Sequence, residues 1–358
     1  MQAPHLRAVT EPPPSAPRAP TSWLRVLRME VDSHLLEFFE AKQRETREIS
    51  APTLELVDAI EALTMRGGKR LRPAVAAAGY RCVRPGHGMD RLVELASALE
   101  LLQSYLLIHD DWMDEDEVRR GGPAVHTTLQ RSHSDRHLGS ALGVLAGDLA
   151  STYAWELFLE APYPVQASSR ATALFLQIQK EVYCGQQLDL TGDADVARMH
   201  ALKTTSYSVR GPLLLGAMLG NPTEVQLHAL SEWAGPIGEA FQIRDDLLGA
   251  LGSPDSTGKP GMDLPHGKVS SVLSELRRST SPSDREAVEA IVGRPDVAHR
   301  DLAEARRCLH ESGVVDRLEQ RIIELRSDAL RALEDAPFNP QGLGMLTELA
   351  DKLTNRRR

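Results

Sequence analysis

The sequence predicts an all-α fold, a bundle of ten or more helices, and three observations support this prediction. Aromatic residues make up only 4% of the 358 residues, whereas the helix formers alanine, leucine, glutamate and arginine are abundant. From about residue 22 onward, apolar residues recur at spacings of three and four, as on one face of a helix. The sequence contains no alternating, strand-like pattern of useful length and no short internal repeat.

The first three predicted helices lie on either side of a glycine-rich loop. Residues 23–49 form an amphipathic helix, with apolar positions at Leu24, Leu27, Val31, Leu35 and Phe38. Residues 51–63 form the second helix, which Gly67 and Gly68 end because glycine readily terminates helices. Residues 73–80 follow as a short, alanine-rich third helix.

The middle of the chain contains the longest apolar stretches. Residues 91–109 form an apolar helix that runs directly into a group of acidic residues. The other helices predicted here, also largely apolar, are residues 138–159, 166–188, 199–219 and 223–251. The last one ends at a cluster of turn-forming residues, and the C-terminal third is helical but more charged. We therefore expect a single all-α domain over residues 21–358, after a disordered leader rich in proline and alanine over residues 1–20.

Composition excludes several classes of function. The net charge of −9 argues against nucleic-acid binding, so an anionic substrate requires local cations or metal ions. The scattered cysteines indicate a reducing compartment and no structural zinc. We expect a cytoplasmic protein, because the sequence shows neither a signal peptide nor a run of 18 apolar residues that would span a bilayer.

The first acidic motif follows the helix predicted over residues 91–109. Asp110 and Asp114 are four residues apart and share a helix face, on the same stripe as Leu99 and Gln103. The helix dipole disfavours carboxylates at a C-terminal end. Mg²⁺ compensates for this, because it binds carboxylates together with substrate phosphates. A solvated acidic helix end is the alternative.

A second aspartate pair, Asp245 and Asp246, follows Gln242 at the end of another apolar helix. Two such helices that face each other across a bundle would bind metal ions from opposite walls. This repetition favours a metal site over two unrelated acidic helix ends.

Basic residues accompany both aspartate pairs. The segment GGKRLRP over residues 67–73 combines exposed backbone N–H groups with three cations, which suits a diphosphate that is not bound to metal. It lacks the spacing of a nucleotide-binding P-loop, and a plain basic surface loop is the alternative. Arg119 and Arg120 either pair with the acidic residues or bind phosphate. Weaker candidates are Lys203-Thr204, Lys259 and Lys268.

In their order along the chain, these segments resemble the trans-polyprenyl diphosphate synthase family, and in particular its short-chain geranylgeranyl and farnesyl diphosphate synthases. The set is GGKRLRP, DDxxD with RRGGP, GQQLDL, KT, and FQIRDD with GKPGMDL and GK. The resemblance covers nearly the whole chain beyond the leader. It implies an isoprenoid synthase-type bundle around a deep central apolar cavity, usually as a homodimer.

The resemblance also implies the reaction. Isopentenyl diphosphate would condense head-to-tail with an allylic diphosphate, either dimethylallyl, geranyl or farnesyl diphosphate, with two or three Mg²⁺ ions as cofactor. Ionisation of the allylic diphosphate, attack by the double bond and loss of a proton would give an all-trans product. No protein nucleophile is needed, which fits the absence of a convincing Ser/His or Cys/His pattern in the sequence.

Residue roles follow from the same resemblance. The metal ligands would be Asp110, Asp114 and Asp245, supported by Asp111. The contacts to isopentenyl diphosphate would be Lys69, Arg72, Gln103 and Arg120. The contacts to the allylic diphosphate or its metals would be Arg119, Lys203, Thr204, Gln242, Lys259 and Lys268. Three of these would also lie near the reacting cation and act in catalysis: Lys203, Thr204 and Gln242.

The second aspartate motif departs from the family pattern. Gly249 stands where a third carboxylate is common, and Ser253 stands where a later acidic residue is common. Substitute carboxylates are available at Asp255 and Asp263, although neither is in helical register. We expect weaker support for a third metal ion and not a loss of activity.

Product length is predicted from the residues that precede the first aspartate pair. In the family, Tyr105 lies where side chains limit the depth of the cavity, whereas helical geometry places Leu106 directly below Asp110. One aromatic ring beside a medium aliphatic side chain predicts a C20 product, ahead of C15.

Two other functions are alternatives. A class I terpene cyclase shares a DDxxD-type site, but it carries a different second motif and does not need the GGKRLRP loop. A non-catalytic subunit that modulates a prenyl synthase would tend to lose an aspartate motif or the basic loop, and this sequence keeps both.

Overall fold

The computed structural model describes residues 22–86, 91–192, 195–252, 261–294 and 296–355. The predicted leader over residues 1–20 lies outside these ranges. Within them the structure is almost entirely helical, which confirms the predicted all-α class. None of the helices in the described ranges is both long and apolar enough to cross a membrane.

The helices are, in chain order, α1 (Trp23–Ile49), α2 (Leu54–Met65), α3 (Leu71–Val83), α4 (Val93–Met113), α5 (Val125–His133), α6 (Arg136–Glu160), α7 (Val165–Thr191), α8 (Val196–His200), α9 (Gly211–Leu219), α10 (Glu224–Leu251), α11 (Ser271–Ser279), α12 (Pro282–Glu289), α13 (His299–Glu311), α14 (Val314–Arg331) and α15 (Pro340–Thr354). A 3₁₀ turn, Ala51–Thr53, precedes α2, and a π-helical segment, Ala201–Arg210, joins α8 to α9.

Most observed helices match predicted ones, but α5 was not predicted, and the helix predicted over residues 199–219 is divided into the end of α8, the π-helical segment and α9. Helix α1 has the predicted bounds, and it buries an apolar stripe of Leu27, Val31, Leu35 and Phe39. Helix α4 begins two residues later than predicted and ends four residues later, so it includes Asp110 and Asp111 of the first motif. The sequence did not predict the antiparallel pair of two-residue strands that follows, β1 (Val118–Arg119) and β2 (Gly122–Pro123).

Two long helices organise the interior. Helix α4 packs against α1, α2, α3 and α6, and most of its surface is buried. Helix α10 packs against the π-helical segment, α11, α14 and α15. The π-helical segment also packs against α7. It therefore lies between α7 and α10, where its side chains can reach the C-terminal end of α4.

Candidate active site

An apolar cavity of about 370 Å³ lies between α4, α7 and the π-helical segment. Its apolar walls include Tyr105 and Leu106 from α4, and Val182 and Leu190 from α7. Three predicted site residues also line it, namely Asp110, Lys203 and Thr204, whereas Gln242 of the second aspartate motif lines a different pocket. The cavity therefore combines an apolar interior with charged groups, as expected for a substrate with an apolar body and an ionic end.

The π-helical segment brings Lys203 to this cavity. Such wide turns are rare and are frequently found at functional sites. Two glycines permit close packing on both of its sides. A Cβ atom on Gly185 of α7 would lie 2.4 Å from the backbone nitrogen of Lys203, and one on Gly238 of α10 would lie 2.2 Å from a side-chain carbon of Thr205. The backbone of Lys203 is therefore held tightly beside α7.

Lys203 joins two carboxylates beside the cavity. Its Nζ lies 2.5 Å from Oδ2 of Asp189 on α7 and 3.2 Å from Oδ1 of Asp110 on α4. Asp189 was not among the predicted site residues, although it lies in GQQLDL, one of the segments that carry the family resemblance. The pKa of Lys203 is raised because the neighbouring carboxylates, Asp110 and Asp189, outweigh the effect of burial. The ammonium group is therefore charged at neutral pH and can contact an anion.

The first acidic motif contains carboxylates in different environments. Asp111 is fully buried, accepts a hydrogen bond of 2.6 Å from Nε of Arg119, and has an Oδ2 atom with no hydrogen-bond partner. Burial raises its pKa to about 6 despite the neighbouring guanidinium group. Arg119 also lies 3.6 Å from Asp110. It is therefore paired with the acidic motif, which was one of the two alternatives for it.

Asp114 ends helix α4, and its backbone N–H donates to the carbonyl oxygen of Asp110 at 2.8 Å. The pKa of its carboxyl group is raised by desolvation and by the charge of Asp110, while Lys203 and Lys268 act in the opposite direction. Lys268, which follows α10 in the chain, is therefore close enough to influence the end of α4. Asp255 and Lys259 lie outside the described residues.

The two aspartates of the second pair differ in their surroundings. Asp246 is buried and accepts hydrogen bonds from Nε2 of Gln242 at 2.8 Å and from the backbone N–H of Ser271 at 2.6 Å. Burial raises its pKa to about 6. It therefore ties the start of α11 to α10. Asp245, at the preceding position of α10, is partly exposed, and its assignment as the metal ligand of the pair stays a prediction.

A separate cluster of cations, which does not line the cavity, adjoins the cavity-lining residue Tyr207. The guanidinium carbon of Arg72 stands 4.2 Å from the centre of the Tyr207 ring, and its Nη2 donates to the hydroxyl of Ser208 at 2.6 Å. The Nε atom of Arg72 is buried without a hydrogen-bond partner, as is Oε1 of Gln103 on α4. An anion near Arg72 would satisfy the free donor.

Arg120 belongs to the same cluster. Its Nη1 donates to the carbonyl oxygens of Leu63 and Gly67 at 3.2 and 3.1 Å. Burial lowers its pKa, and the positive charges of Arg70 and Arg72 add to this effect. The charge of Glu100 opposes this lowering in part, and the guanidinium groups of Arg72 and Arg120 together would favour a bound anion. Lys69 is exposed on the loop between α2 and α3.

Arg70 departs from the expectation that all three cations of the GGKRLRP segment serve the anion site. It adopts a left-handed backbone conformation, with φ of 48°, and its side chain turns into the core. There its Nη1 lies 2.5 Å from Glu100, and its Nε lies 2.8 Å from Asp32. Arg70 therefore anchors the loop to the core, and Lys69 and Arg72 remain the candidate contacts to an anion.

The described residues fit a metal ion that is shared with a substrate. Among them, no three histidine, cysteine or acidic side chains converge on one point. The donors available at the site are carboxylate oxygens, and one of them, Oδ2 of Asp111, is buried without a partner. Mg²⁺ suits this arrangement, because it commonly takes one or two protein carboxylates and completes its shell with water and substrate phosphates.

Comparisons with known proteins were consistent with these features. Residues 54–309 match the family model described as Polyprenyl synthetase. A short chain isoprenyl diphosphate synthase of Methanothermobacter thermautotrophicus is 32% identical over 277 residues, which cover 75% of this chain and 82% of that one. A geranylgeranyl diphosphate synthase of Methanosarcina mazei is 30% identical over 312 residues, which cover 84% and 90% of the two chains.

The fold was also compared with solved structures. A geranylgeranyl pyrophosphate synthase from Corynebacterium glutamicum, solved with isoprenyl diphosphate and magnesium, superimposes with a TM-score of 0.82 at 29% identity. The match covers 93% of this chain and 98% of that one. The similarity thus extends over almost the whole of both chains.

Proposed function

The chain belongs to the polyprenyl synthetase family and is a trans-prenyltransferase, and from this premise we propose that it condenses isopentenyl diphosphate with an allylic diphosphate. The observation that carries the proposal is the pairing of two sites. The apolar cavity has Asp110, Lys203 and Tyr207 in its lining, and Arg72, which is not one of its lining residues, stacks on the ring of Tyr207. Such an arrangement suits two substrates, each with its own diphosphate.

In this proposal the allylic chain lies in the cavity, and its diphosphate lies near Lys203. The ions would be held by Asp110 and Asp114 on one wall and by Asp245 on the other. When bound, Mg²⁺ would neutralise the charge that develops on the departing diphosphate. Lys203, Thr204 and Lys268 would add positive charge and hydrogen bonds at the same point, which is electrostatic stabilisation of the leaving group.

Isopentenyl diphosphate would bind at the second cluster. Arg72 and Arg120 would contact its diphosphate, with Lys69 and Gln103 at the edges of the same site. Its double bond would then lie near Tyr207, facing the cavity. This position lets the double bond reach the allylic carbon as the carbon–oxygen bond breaks.

The reaction would then proceed by ionisation, condensation and loss of a proton. The carbon–oxygen bond of the allylic diphosphate breaks, and its electron pair leaves with the diphosphate. The double bond of isopentenyl diphosphate forms the new carbon–carbon bond, and a proton is lost to the departed diphosphate. Gln242, Thr204 and Lys203 would orient the reacting groups, and the apolar walls would exclude water that would otherwise capture the cation.

We propose that the main product is C20, ahead of C15. Tyr105 is buried and lies edge-on to His109 and Tyr183, with ring centres 5.0 and 6.3 Å away. All three rings line the cavity, Tyr105 and His109 from α4 and Tyr183 from α7, and Leu106 lines it as well. Their bulk would stop elongation when the chain meets them.

We also propose a homodimer. Exposed apolar side chains recur every seven residues on two helices, at Leu138 and Leu145 of α6 and at Leu176, Tyr183 and Leu190 of α7. Seven-residue spacing places each set along one face of its helix. A second copy would cover these faces.

A release assay tests this function. The purified chain should release inorganic pyrophosphate only when Mg²⁺, isopentenyl diphosphate and an allylic diphosphate are all present. Release from the allylic diphosphate alone would indicate a terpene cyclase. The absence of release with any allylic substrate would indicate a non-catalytic subunit.

A further inference from the structure

The segment GQQLDL, residues 185–190 of α7, places a buried amide at the cavity. Gln186 is only 9% exposed and lines the apolar cavity. Its Nε2 atom is buried and has no hydrogen-bond partner among the described residues. Of the described side chains that line the cavity, Gln186 is the one with a buried donor that lacks a partner. A buried donor of this kind favours a ligand that brings an acceptor to it.

The depth of this amide follows from the helices on both sides of the cavity. Lys203 marks the ionic end of the cavity, since its Nζ contacts Asp110 of α4 and Asp189 of α7. Gln186 precedes Asp189 by three residues on α7, and residues at this spacing are neighbours about one helical turn, or about 5 Å, apart. On α4, Leu106 precedes Asp110 by four residues and lines the same cavity. The amide therefore lies about one turn from the ionic end, where the apolar walls begin.

We propose that Nε2 of Gln186 donates a hydrogen bond to the oxygen that joins the allylic carbon to the diphosphate, and that this bond strengthens as the carbon–oxygen bond breaks. The inference rests on the proposed function, which places the diphosphate near Lys203 and the allylic chain in the cavity. The carbon–oxygen bond of such a substrate lies between the ionic end and the apolar walls. Gln186 lies at the same depth.

The chemistry of the broken bond gives this donor its effect. The electron pair of the carbon–oxygen bond stays on the oxygen, whose negative charge grows, while the amide keeps its proton and remains neutral. The hydrogen bond is therefore stronger in the transition state than in the bound substrate. A donor of this kind accelerates the chemical step and contributes little to substrate affinity.

The packing of α7 keeps this amide at a fixed distance from Lys203. A Cβ atom on Gly185 would lie 2.4 Å from the backbone nitrogen of Lys203, so α7 and the π-helical segment are in direct contact beside Gln186. Lys203 is attracted by two carboxylates, whereas a neutral amide is not. The amide is thus a preorganised donor that no carboxylate of the ionic end draws away from the cavity.

The test separates the chemical step from binding. The rate of carbon–carbon bond formation is measured by rapid quench in a single turnover, with saturating Mg²⁺, isopentenyl diphosphate and geranyl diphosphate, because product release can limit steady-state turnover. Gln186→Leu removes the donor at nearly the same side-chain volume and should lower this rate about 100-fold, as expected when one donor to a developing negative charge is lost. The KM values of both substrates should change little.

Protein stability separates this role from a structural one. Because Nε2 has no partner to lose, Gln186→Leu should leave the unfolding temperature unchanged or raise it. Gln186→Glu keeps the shape of the side chain but replaces the donor with an acceptor, and should also slow the single turnover. Gln177→Leu makes the same change at an exposed position of α7, and should leave the rate unchanged.

The outcomes distinguish the inference from the proposed function. If the unaltered chain elongates geranyl diphosphate and both Gln186 variants do so at the same single-turnover rate, the inference is wrong and the proposed function stands. A slower step in Gln186→Leu with a lower unfolding temperature would indicate a structural role and overturn the inference. A raised KM for isopentenyl diphosphate at an unchanged rate would assign the amide to the other substrate and overturn it as well. If the unaltered chain forms no elongated product from any allylic diphosphate, the proposed function fails, and the inference fails with it.

Discussion

Removal of the Tyr105 ring should lengthen the product by one isoprene unit. The substitution Tyr105→Ala deletes a phenol group that lines the cavity of about 370 Å³ and packs against His109 and Tyr183. That group is about the size of one five-carbon unit. The variant should therefore accept one further condensation before the chain meets a wall.

The magnitude follows from the buried surface. At about 0.8 kcal/mol for each buried CH₂ group, five additional carbons are stabilised by about 4 kcal/mol. A difference of about 1.4 kcal/mol already changes a ratio tenfold, so the longer product should dominate. The protein itself should lose about 2–4 kcal/mol of stability, because the substitution enlarges a cavity.

The assay compares products from farnesyl diphosphate and isopentenyl diphosphate by chromatography. Tyr105→Phe is the matched control, since it keeps the ring and should keep the product length. An active Tyr105→Ala enzyme whose product is as long as that of the unaltered chain would refute the assignment of Tyr105.

Two further predictions concern binding and pH. Arg72→Ala should raise the KM for isopentenyl diphosphate by about 10–100-fold in steady-state assays, because a charge-assisted hydrogen bond contributes about 1.5–3 kcal/mol. A larger rise in the KM of the allylic substrate would contradict the assignment of Arg72 to the isopentenyl diphosphate site. Burial lowers the pKa of His200 to about 4, so between pH 6.5 and 4 the unfolded chain binds a proton that the folded chain does not, and stability falls as pH falls. Relative to His200→Gln, the unaltered chain should lose about 2 kcal/mol of unfolding free energy between pH 7.5 and 5 in denaturant titrations. The control His228→Gln, at an exposed position of α10, should change this pH dependence little. Equal pH dependence of the unaltered chain and His200→Gln would contradict the prediction.

Local sequence patterns were sufficient to predict the all-α fold class. The spacing of apolar residues located α1 at its observed bounds, and the acidic run correctly marked the end of α4. These features depend on helical periodicity, which neighbouring residues encode. Asp110, Lys203 and Thr204 line one cavity of the structure, and their roles toward a substrate stay predictions.

Long-range packing decided what the sequence could not predict. Arg70 is one of three similar cations in its loop, and its contacts with Glu100, 30 residues away, and with Asp32, 38 residues away, hold it in the core. Asp189 pairs with Lys203 because the π-helical segment packs against α7, which no local spacing encodes. Asp263 lies against Gly249 after the chain reverses direction, so helical register gave no sign of it.

The central claim is the condensation of isopentenyl diphosphate with an allylic diphosphate, and product identification tests it most directly. The purified chain is incubated with Mg²⁺, isopentenyl diphosphate and, in separate reactions, the C5, C10 or C15 allylic diphosphate. We expect an all-trans C20 diphosphate as the main product, formed only when Mg²⁺ is present. A cyclic hydrocarbon, or no elongated product from any of the three, would contradict the claim.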